Sequence, residues 1–186
     1  MGSIGFPVVP TPSAPGPKGF DMSHYHLAQL NIAVMKESLE SPGMADFVAN
    51  LDRINALAES SPGFVWRLKT DDGDATALRP LGDNVLVNMS VWQDVATLNH
   101  YVYKTAHVEI MARRKEWFEK MAEAYAVLWW VPQGHNPTIT EAAARLEHLR
   151  QHGPTEKAFT FRNAFAPPDA VQPGMGFSFG NECPAI

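Results

Sequence analysis

Apolar and polar residues recur along this chain with two periods, and each period predicts a different kind of element. Alternation at every second position, as in YHLAQLNIAV at residues 25–34, is typical of a β-strand whose two faces differ. A short apolar run closed by a turn residue predicts a strand as well. By these criteria we predict four strands, at 25–34, 64–70, 84–92 and 125–131.

Apolar residues spaced by three and four positions predict helices. Four segments have this spacing: 44–59, 94–103, 105–121 and a last one from Thr138 to Gly153. Thr138 and Glu141 have the spacing of a capping box, in which each side chain bonds the backbone N–H of the other residue. Gly153-Pro154 is a typical helix stop with a left-handed glycine. Residues 158–165 alternate again, which predicts an edge strand or an arm across a partner.

The predicted order β-α-β-β-α-β is that of an α+β, ferredoxin-like antiparallel sheet, here with an extra C-terminal helix and arm. Such a sheet carries helices on one face, and its other face needs a cover. A second copy of the chain supplies that cover in a homodimer whose two sheets enclose a cavity, a dimeric α+β barrel. Prolines crowd both ends of the chain, so we expect an extended or disordered segment over 1–22, one domain over 23–165 and an irregular tail over 166–186.

Composition and charge narrow the class of the protein. The 186 residues include 15 Lys and Arg against 20 Asp and Glu, for a formal net charge of -5, and no basic run, so nucleic acid is not an expected partner. No apolar stretch reaches the ~18 residues of a membrane span, and the N-terminus does not read as a secretory signal. We therefore expect a cytoplasmic protein with no membrane partner. Cys183, the single cysteine, excludes an internal disulfide and a multi-thiolate metal site.

Strand parity places a group of polar residues on one face of the predicted sheet. These residues are Gln29, Asn31, Asn88 and Ser90, and Trp92 shares their parity. The opposite parity is apolar and is expected to receive the helices, which predicts that the polar face turns away from the helices and toward the cavity. Neutral amides and a hydroxyl beside tryptophans suit the orientation of an apolar or aromatic small molecule. The alternative is a solvated or wet dimer face.

The segment 105–121 adds two residues with chemical potential to an otherwise apolar stripe. His107 lies on this stripe and is a candidate general acid or base, because its ordinary pKa is near neutrality. Arg114 lies on it as well and is a candidate to bind a carboxylate or to stabilise an enolate-like oxygen. The alternative is a hydrogen-bonded core histidine and a structural ion pair. Further candidates for substrate contact are Tyr101, Tyr103, Trp117 and Trp129.

Other kinds of site lack support in the sequence. His24 and His26 share a strand face, but no third ligand follows at a metal-site spacing, so we predict no metal. There is no glycine-rich phosphate loop and no nucleophile elbow, which leaves nucleotide binding and serine hydrolysis without support.

Several runs of sequence resemble an uncharacterised family. They are HLAQLNIA at 26–33, SPGFVWRL at 61–68, the helix of 107–118, LWWVPQGHNPTITEAAARLEHL at 128–149 and GPTEKAFTFRNAF at 153–165. Together they are similar to a domain-of-unknown-function family in the dimeric α+β barrel superfamily, the group related to antibiotic-biosynthesis monooxygenases. The resemblance covers nearly all of 25–165 and implies the fold and the homodimer.

The superfamily resemblance also implies a range of activities. Related barrels include cofactor-free quinone-forming monooxygenases, haem-degrading enzymes, haem-containing dehydratases and peroxidases, muconolactone isomerases and polyketide cyclases. The monooxygenases use Asn, Trp and Tyr or His in their cavity, and Asn31, Trp66, Asn88 and Trp92 offer similar groups here. His107 is similar in setting to the iron ligand of haem-binding relatives.

These observations lead to one main hypothesis and two alternatives. The main hypothesis is an enzyme that, without a cofactor, oxidises, isomerises or cyclises an aromatic or polyketide-like metabolite, with His107 moving a proton and Arg114 steadying negative charge. The first alternative is a non-catalytic ligand carrier or sensor with the same cavity. The second is a haem protein that uses His107 as its iron ligand.

Overall fold

The structure is a computed structural model and describes residues 24–170. The predicted segment 1–22 and the tail beyond 170, with Cys183, lie outside this range. Within it, the strands and helices follow in the predicted order: β1 (Tyr25–Val34), α1 (Ala45–Glu59), β2 (Phe64–Arg67), β3 (Val85–Trp92), α2 (Val95–Lys104), α3 (His107–Trp117), β4 (Ala126–Pro132) and α4 (Ile139–His152).

The four strands form one sheet in the order β2-β3-β1-β4, which is the order of a ferredoxin-like fold. The central strand β1 pairs antiparallel with β3 over 27–34 and with β4 over 25–31. The short strand β2 pairs antiparallel with β3 and contains a bulge. The predicted α+β fold with an additional C-terminal helix is confirmed.

The register of the sheet determines which side chains share a face. Gln29 stands opposite Ser90 and Asn31 stands opposite Asn88, so these four residues share one face, as their parity predicts. Helices α1, α2 and α3 pack on this same polar face through two hydrophobic clusters. The prediction that the polar face turns away from the helices is therefore wrong.

The two clusters on the polar face show which helices lie over it. Trp92 of β3 packs with Leu98 and Tyr101 of α2 in the first cluster. In the second cluster, Leu86 of β3 packs with Met44, which precedes α1, and with Trp117 of α3. The polar residues of β1 and β3 lie between these clusters, beneath the helices.

Helix α4 covers the opposite, apolar face of the sheet. Leu30 of β1 and Met89 of β3 are each 1% exposed and belong to one cluster with Leu146 and Leu149 of α4. The loop between β2 and β3 adds Leu78 to this cover. Helices of the same chain thus cover both faces, so the polar face does not require the second copy that the sequence analysis placed there, and the homodimer stays a prediction.

Helix α3 ends four residues before the predicted boundary. Its C-cap residue Phe118 is extended, with φ -124° and ψ 147°, and forms a β-bridge with Met35 beyond the end of β1. The backbone N–H of Glu119 donates to the carbonyl of Val34 at 2.8 Å. Hydrogen bonds to the end of β1 thus replace the next helical turn.

The N-terminus of α4 forms only half of the predicted capping box. The Thr138 hydroxyl accepts a hydrogen bond from the Glu141 backbone N–H at 3.2 Å, as expected of an N-cap. The Glu141 carboxylate does not reach back to the backbone. It accepts from the Trp129 indole N–H at 2.9 Å and lies 2.8 Å from Nε2 of His135.

Residues 158–165 form an arm across this same chain, with isolated bridges in place of the predicted edge strand. Phe159 exchanges two backbone hydrogen bonds with Leu128, of 2.8 and 2.9 Å, at the free edge of β4. The carbonyl of Phe165 accepts the indole N–H of Trp130 at 2.8 Å. The arm thereby completes the hydrophobic cluster under α2.

Candidate functional site

A cavity of about 150 Å³ lies between the polar face of the sheet and helices α1 and α3 of the same chain. It is open to solvent on one side. Asn31 and Asn88 contribute polar groups from the sheet, while Phe47 and Leu51 of α1 contribute apolar walls. The cavity is therefore formed within one chain, where the sequence analysis predicted a cavity between two sheets.

Helix α3 supplies one wall of this cavity with the stripe that the sequence predicted. His107, Ile110, Met111 and Arg114 all line it, and their spacing of three, four and seven residues puts them on one helical face. His107 and Arg114 are two turns apart, roughly 10 Å along the helix axis. The two candidate catalytic groups therefore lie at different places along the cavity.

His107 is held as a neutral imidazole by its surroundings. Burial lowers the pKa of His107, and the hydrogen bond to the Val102 carbonyl opposes this shift only in part. Nδ1 lies 3.4 Å from the Val102 carbonyl oxygen. Because a carbonyl only accepts, Nδ1 carries the proton in this contact and Nε2 keeps its lone pair. A neutral imidazole with a free Nε2 is the form that acts as a general base.

Two aromatic rings of the sheet and α2 support the imidazole from the side. The Tyr101 ring lies 4.8 Å from the His107 ring and stacks on Trp92, with ring centroids 5.0 Å apart. The Tyr101 hydroxyl donates to the Ile54 carbonyl of α1 at 3.4 Å, and burial raises the pKa of Tyr101 despite the opposing charge of Arg67. Tyr101 is thus a neutral support for His107.

Arg114 has no carboxylate partner within residues 24–170. One Nη2 hydrogen bond goes to the Ile32 carbonyl at 3.3 Å, and the guanidinium carbon lies 4.2 Å from the centre of the Tyr125 ring. Burial lowers the pKa of Arg114, against an opposing effect of Tyr125. The predicted alternative, a structural ion pair, is not found in this part of the chain.

Asn31 and Asn88 present a pair of free amides to the cavity. They are opposite each other on β1 and β3, so their Cβ atoms are about 4.5–5.5 Å apart. In the described part of the chain, neither side-chain amide has a hydrogen-bond partner. Both amides therefore have donors and acceptors available for a ligand.

The other polar residues of this face form a closed network beneath α2. The Trp92 indole N–H donates to the Ser90 hydroxyl at 2.9 Å, and that hydroxyl donates to the Gln29 side-chain oxygen at 2.9 Å. Trp92 is fully buried and Ser90 is 7% exposed. Gln29, Ser90 and Trp92 do not line the cavity, and their hydrogen bonds serve the packing of α2 on the sheet.

Four other predicted contact residues lie away from the cavity. Trp66 and Trp129 share the apolar face of the sheet, where Trp129 lies under α4. Trp117 is buried in the second cluster with Phe47 and Leu86 and does not line the cavity. Tyr103 packs on Phe161 of the arm. The bulge in β2 determines the face on which Trp66 lies. The packing of α4 determines that Trp129, rather than Trp130, lies beneath this helix.

The structure adds a cavity residue that the sequence analysis missed. Arg67 shares its face with Ser90, lines the cavity, and pairs with Glu59 at 2.9 Å and with the Gly73 carbonyl at 2.7 Å. Simple alternation from Phe64, which stands opposite Trp92 on the polar face, puts Trp66 and not Arg67 on that face. The bulge between Phe64 and Trp66 shifts the alternation, so that Arg67 lies there instead.

A family model matches most of this chain. The match runs over residues 26–174, and the family is described as a domain of unknown function (DUF3291). The chain belongs to this family. The predicted membership of an uncharacterised domain-of-unknown-function family is confirmed, and no curated protein matches the chain in sequence.

Solved structures give only distant likenesses for this member of the family. NE2512, a protein of unknown function from Nitrosomonas europaea, is 14% identical, with 62% of this chain and 95% of that chain covered and a TM-score of 0.39. SnoaB, a cofactor-independent oxygenase from Streptomyces nogalater, is 15% identical, with 60% and 95% covered and a TM-score of 0.39. PA3566 from Pseudomonas aeruginosa is 14% identical, with 62% and 100% covered and a TM-score of 0.38. These likenesses are too distant for an activity to be inferred from them.

The described residues hold no group of three or more His, Cys, Asp or Glu side chains that could ligate a metal. Nδ1 of His24 instead lies 3.2 Å from the Asp169 carboxylate. The enclosed part of the cavity, about 150 Å³, corresponds to one benzene-sized ring, so a porphyrin, which joins four pyrrole rings, would extend out of it into solvent. Among residues 24–170, no helix combines the length and the apolar character that crossing a membrane requires.

Proposed function

We propose that this protein is a small-molecule enzyme in which His107 removes a proton from an aromatic or polyketide-like metabolite, without a cofactor. The observation that supports this proposal is a neutral, partly buried imidazole on the wall of a cavity, with Nδ1 held by the Val102 carbonyl. A general base needs a lone pair near neutral pH and a defined orientation, and His107 has both.

The product of this first step is an enolate or a phenolate, for which the cavity offers stabilising groups. Asn31 and Asn88 offer amide donors from the sheet, and Arg114, two helical turns from His107, adds positive charge farther along the same wall with no carboxylate partner among residues 24–170. Hydrogen-bond donors that are already in place lower the energy of a developing anion without further reorganisation. Phe47 and Ile110 supply the apolar surroundings of the ring.

Three reactions continue from the same anion. Dioxygen can oxidise an activated CH₂ group to a carbonyl, in which case one oxygen atom stays on that carbon and the other leaves with the two hydrogens as water. Return of the proton to another carbon gives an isomer, and attack of the anion on a carbonyl of the same molecule gives a ring. Each continuation depends on the proton transfer at His107.

Proton removal can be tested before the natural substrate is known. Aryl methyl ketones in D₂O report it as exchange of their methyl protons, which proton NMR follows directly. We expect wild-type protein to accelerate the exchange, and His107→Gln to reduce the acceleration by roughly 10²–10⁴-fold, the usual contribution of a general base. His100→Gln, which changes an exposed histidine on α2, is the matched control and should exchange like the wild type.

Two outcomes would contradict the proposal. If His107→Gln exchanged the protons as fast as the wild type, the imidazole would not be the base. If ketones bound to the wild type with no exchange at all, the cavity would belong to a carrier or sensor. A homodimer and a cytoplasmic location remain part of the proposal, and sedimentation equilibrium tests the first of them.

A further inference from the structure

Arg114 has no ion-pair partner among residues 24–170, although the Asp74 carboxylate, which accepts from Thr76, also lines the cavity. The other arginine of the cavity wall, Arg67, pairs with Glu59 at 2.9 Å. Arg113, next to Arg114 on α3, pairs with Asp46 at 2.9 Å and with Glu116 at 2.7 Å. A half-buried guanidinium with no carboxylate beside it costs solvation free energy, so binding of an anionic ligand would stabilise it.

The position of Arg114 makes it a receptor for a permanent anion at one end of the ligand. Arg114 is two helical turns from His107, roughly 10 Å along the axis, which separates it from any atom that gives its proton to His107. Its guanidinium is oriented by the Tyr125 ring at 4.2 Å and by the Ile32 carbonyl at 3.3 Å. Most of its five N–H donors remain available for a carboxylate.

Asn31 brings a second donor to the same end of the cavity. It precedes Ile32, whose carbonyl accepts from Arg114, and its side-chain amide has no partner among the described residues. A guanidinium and a primary amide together suit the two oxygens of a carboxylate. Asn88 stands beside Asn31 on the next strand and lines the cavity as well.

The size of the cavity limits what joins the carboxylate to the group that reacts at His107. A volume of about 150 Å³ is that of a cavity that holds benzene. Leu51, Ile110 and Met111 line it between the two polar ends. One aromatic ring fills this space, and substituents at opposite positions of the ring point toward Arg114 and toward His107.

We propose that the substrate class of this site is a monocyclic aromatic carboxylate, with its carboxylate on Arg114 and Asn31 and its ionisable hydroxyl or carbonyl group at His107. This inference rests on the proposed function for the role of His107 alone. Recognition of the carboxylate by Arg114 and Asn31 is a binding property, so it is tested separately from the role of His107.

Calorimetric titration at pH 7.5 tests the recognition with two matched probes, 4-hydroxybenzoate and the neutral 4-hydroxybenzamide. We expect the wild type to bind the carboxylate at least about tenfold more tightly than the amide, because a hydrogen-bonded ion pair in a half-buried site is lost with the amide. Arg114→Gln should remove this preference. Lys115→Gln makes the same change of charge at an exposed position of the same helix and should keep it.

The results separate the two proposals. Equal affinity of the wild type for both probes would overturn the inference whether or not the variants fold, and so would a folded Arg114→Gln variant that keeps the preference. Carboxylate preference without proton exchange in ketones would leave the substrate class in place and remove the enzymatic role. Proton exchange without carboxylate preference would leave the enzymatic role in place and remove the substrate class.

Discussion

His107 shows how one residue obtains a chemical property from its surroundings. In the unfolded chain its imidazole has the ordinary pKa of 6.5, whereas burial lowers the pKa in the folded protein. Between these two values the unfolded chain binds more protons than the folded one, so the free energy of unfolding rises with pH across this window. The same shift keeps the imidazole neutral, and therefore basic, below pH 6.5.

The titration of His107 gives a prediction for stability. We expect the free energy of unfolding of the wild type to fall as the pH drops below about 6.5 toward the lowered folded pKa. His107→Gln should have a shallower dependence over this range, because it removes the buried group that must take up a proton. Urea unfolding between pH 7.5 and 5 measures both slopes. Identical slopes, with His100→Gln as control, would show that His107 does not titrate as described.

At the residue scale, the sequence located part of the site. The helical stripe of α3 correctly indicated that His107 and Arg114 lie on one face, and strand parity correctly placed Asn31 and Asn88 on one face of neighbouring strands. Arg67 was missed because a bulge shifts the alternation of β2. Periodicity describes one element at a time, and a bulge changes the face of every residue that follows it.

The capping signal of α4 correctly predicted where the helix begins but predicted the wrong partner for the Glu141 carboxylate. The spacing of Thr138 and Glu141 correctly places the start of the helix. The Glu141 carboxylate instead binds Trp129 and His135, which come from β4 and the following turn. Although burial acts to raise the pKa of Glu141, these hydrogen bonds lower it. A local motif could not predict this, because the competing donors arrive by tertiary packing.

The N-cap of α4 can be tested by a change at one position. Thr138→Ala removes the acceptor of the Glu141 N–H, and we expect a loss of about 1 kcal/mol in the free energy of unfolding. Thr138→Ser keeps the hydroxyl and should stay close to the wild type. Chemical denaturation of the three proteins provides the comparison. An equal loss in both variants would assign the effect to the threonine methyl group.

For the whole molecule, the structure changes which part of the chain covers the sheet. The sequence correctly predicted four strands, four helices and their order, but it assigned the helices to the apolar face and a second copy to the polar face. Leu146 and Leu149 of α4 cover the apolar face, and α1 to α3 cover the polar face. The cavity therefore lies inside one chain, and its formation does not depend on a partner.

A core residue of α4 tests whether the chain covers its own sheet. Leu146 is 2% exposed, so Leu146→Ala should lower the free energy of unfolding by roughly 2–5 kcal/mol. Glu147→Ala, at an exposed position of the same helix, should change it little. A loss from Leu146→Ala no larger than that from Glu147→Ala would show that α4 does not cover this face.

The sequence by itself determined the elements, their order and the residues that share a face within each of them, because these follow from the local periods of strand and helix. Only the tertiary structure decided which helix lies on which face, that the cavity forms between the sheet and α3, and that Arg114 has no counter-ion there. A period shows that a face is apolar or polar. It does not show what covers the face, since that depends on how four helices share two sides of one sheet.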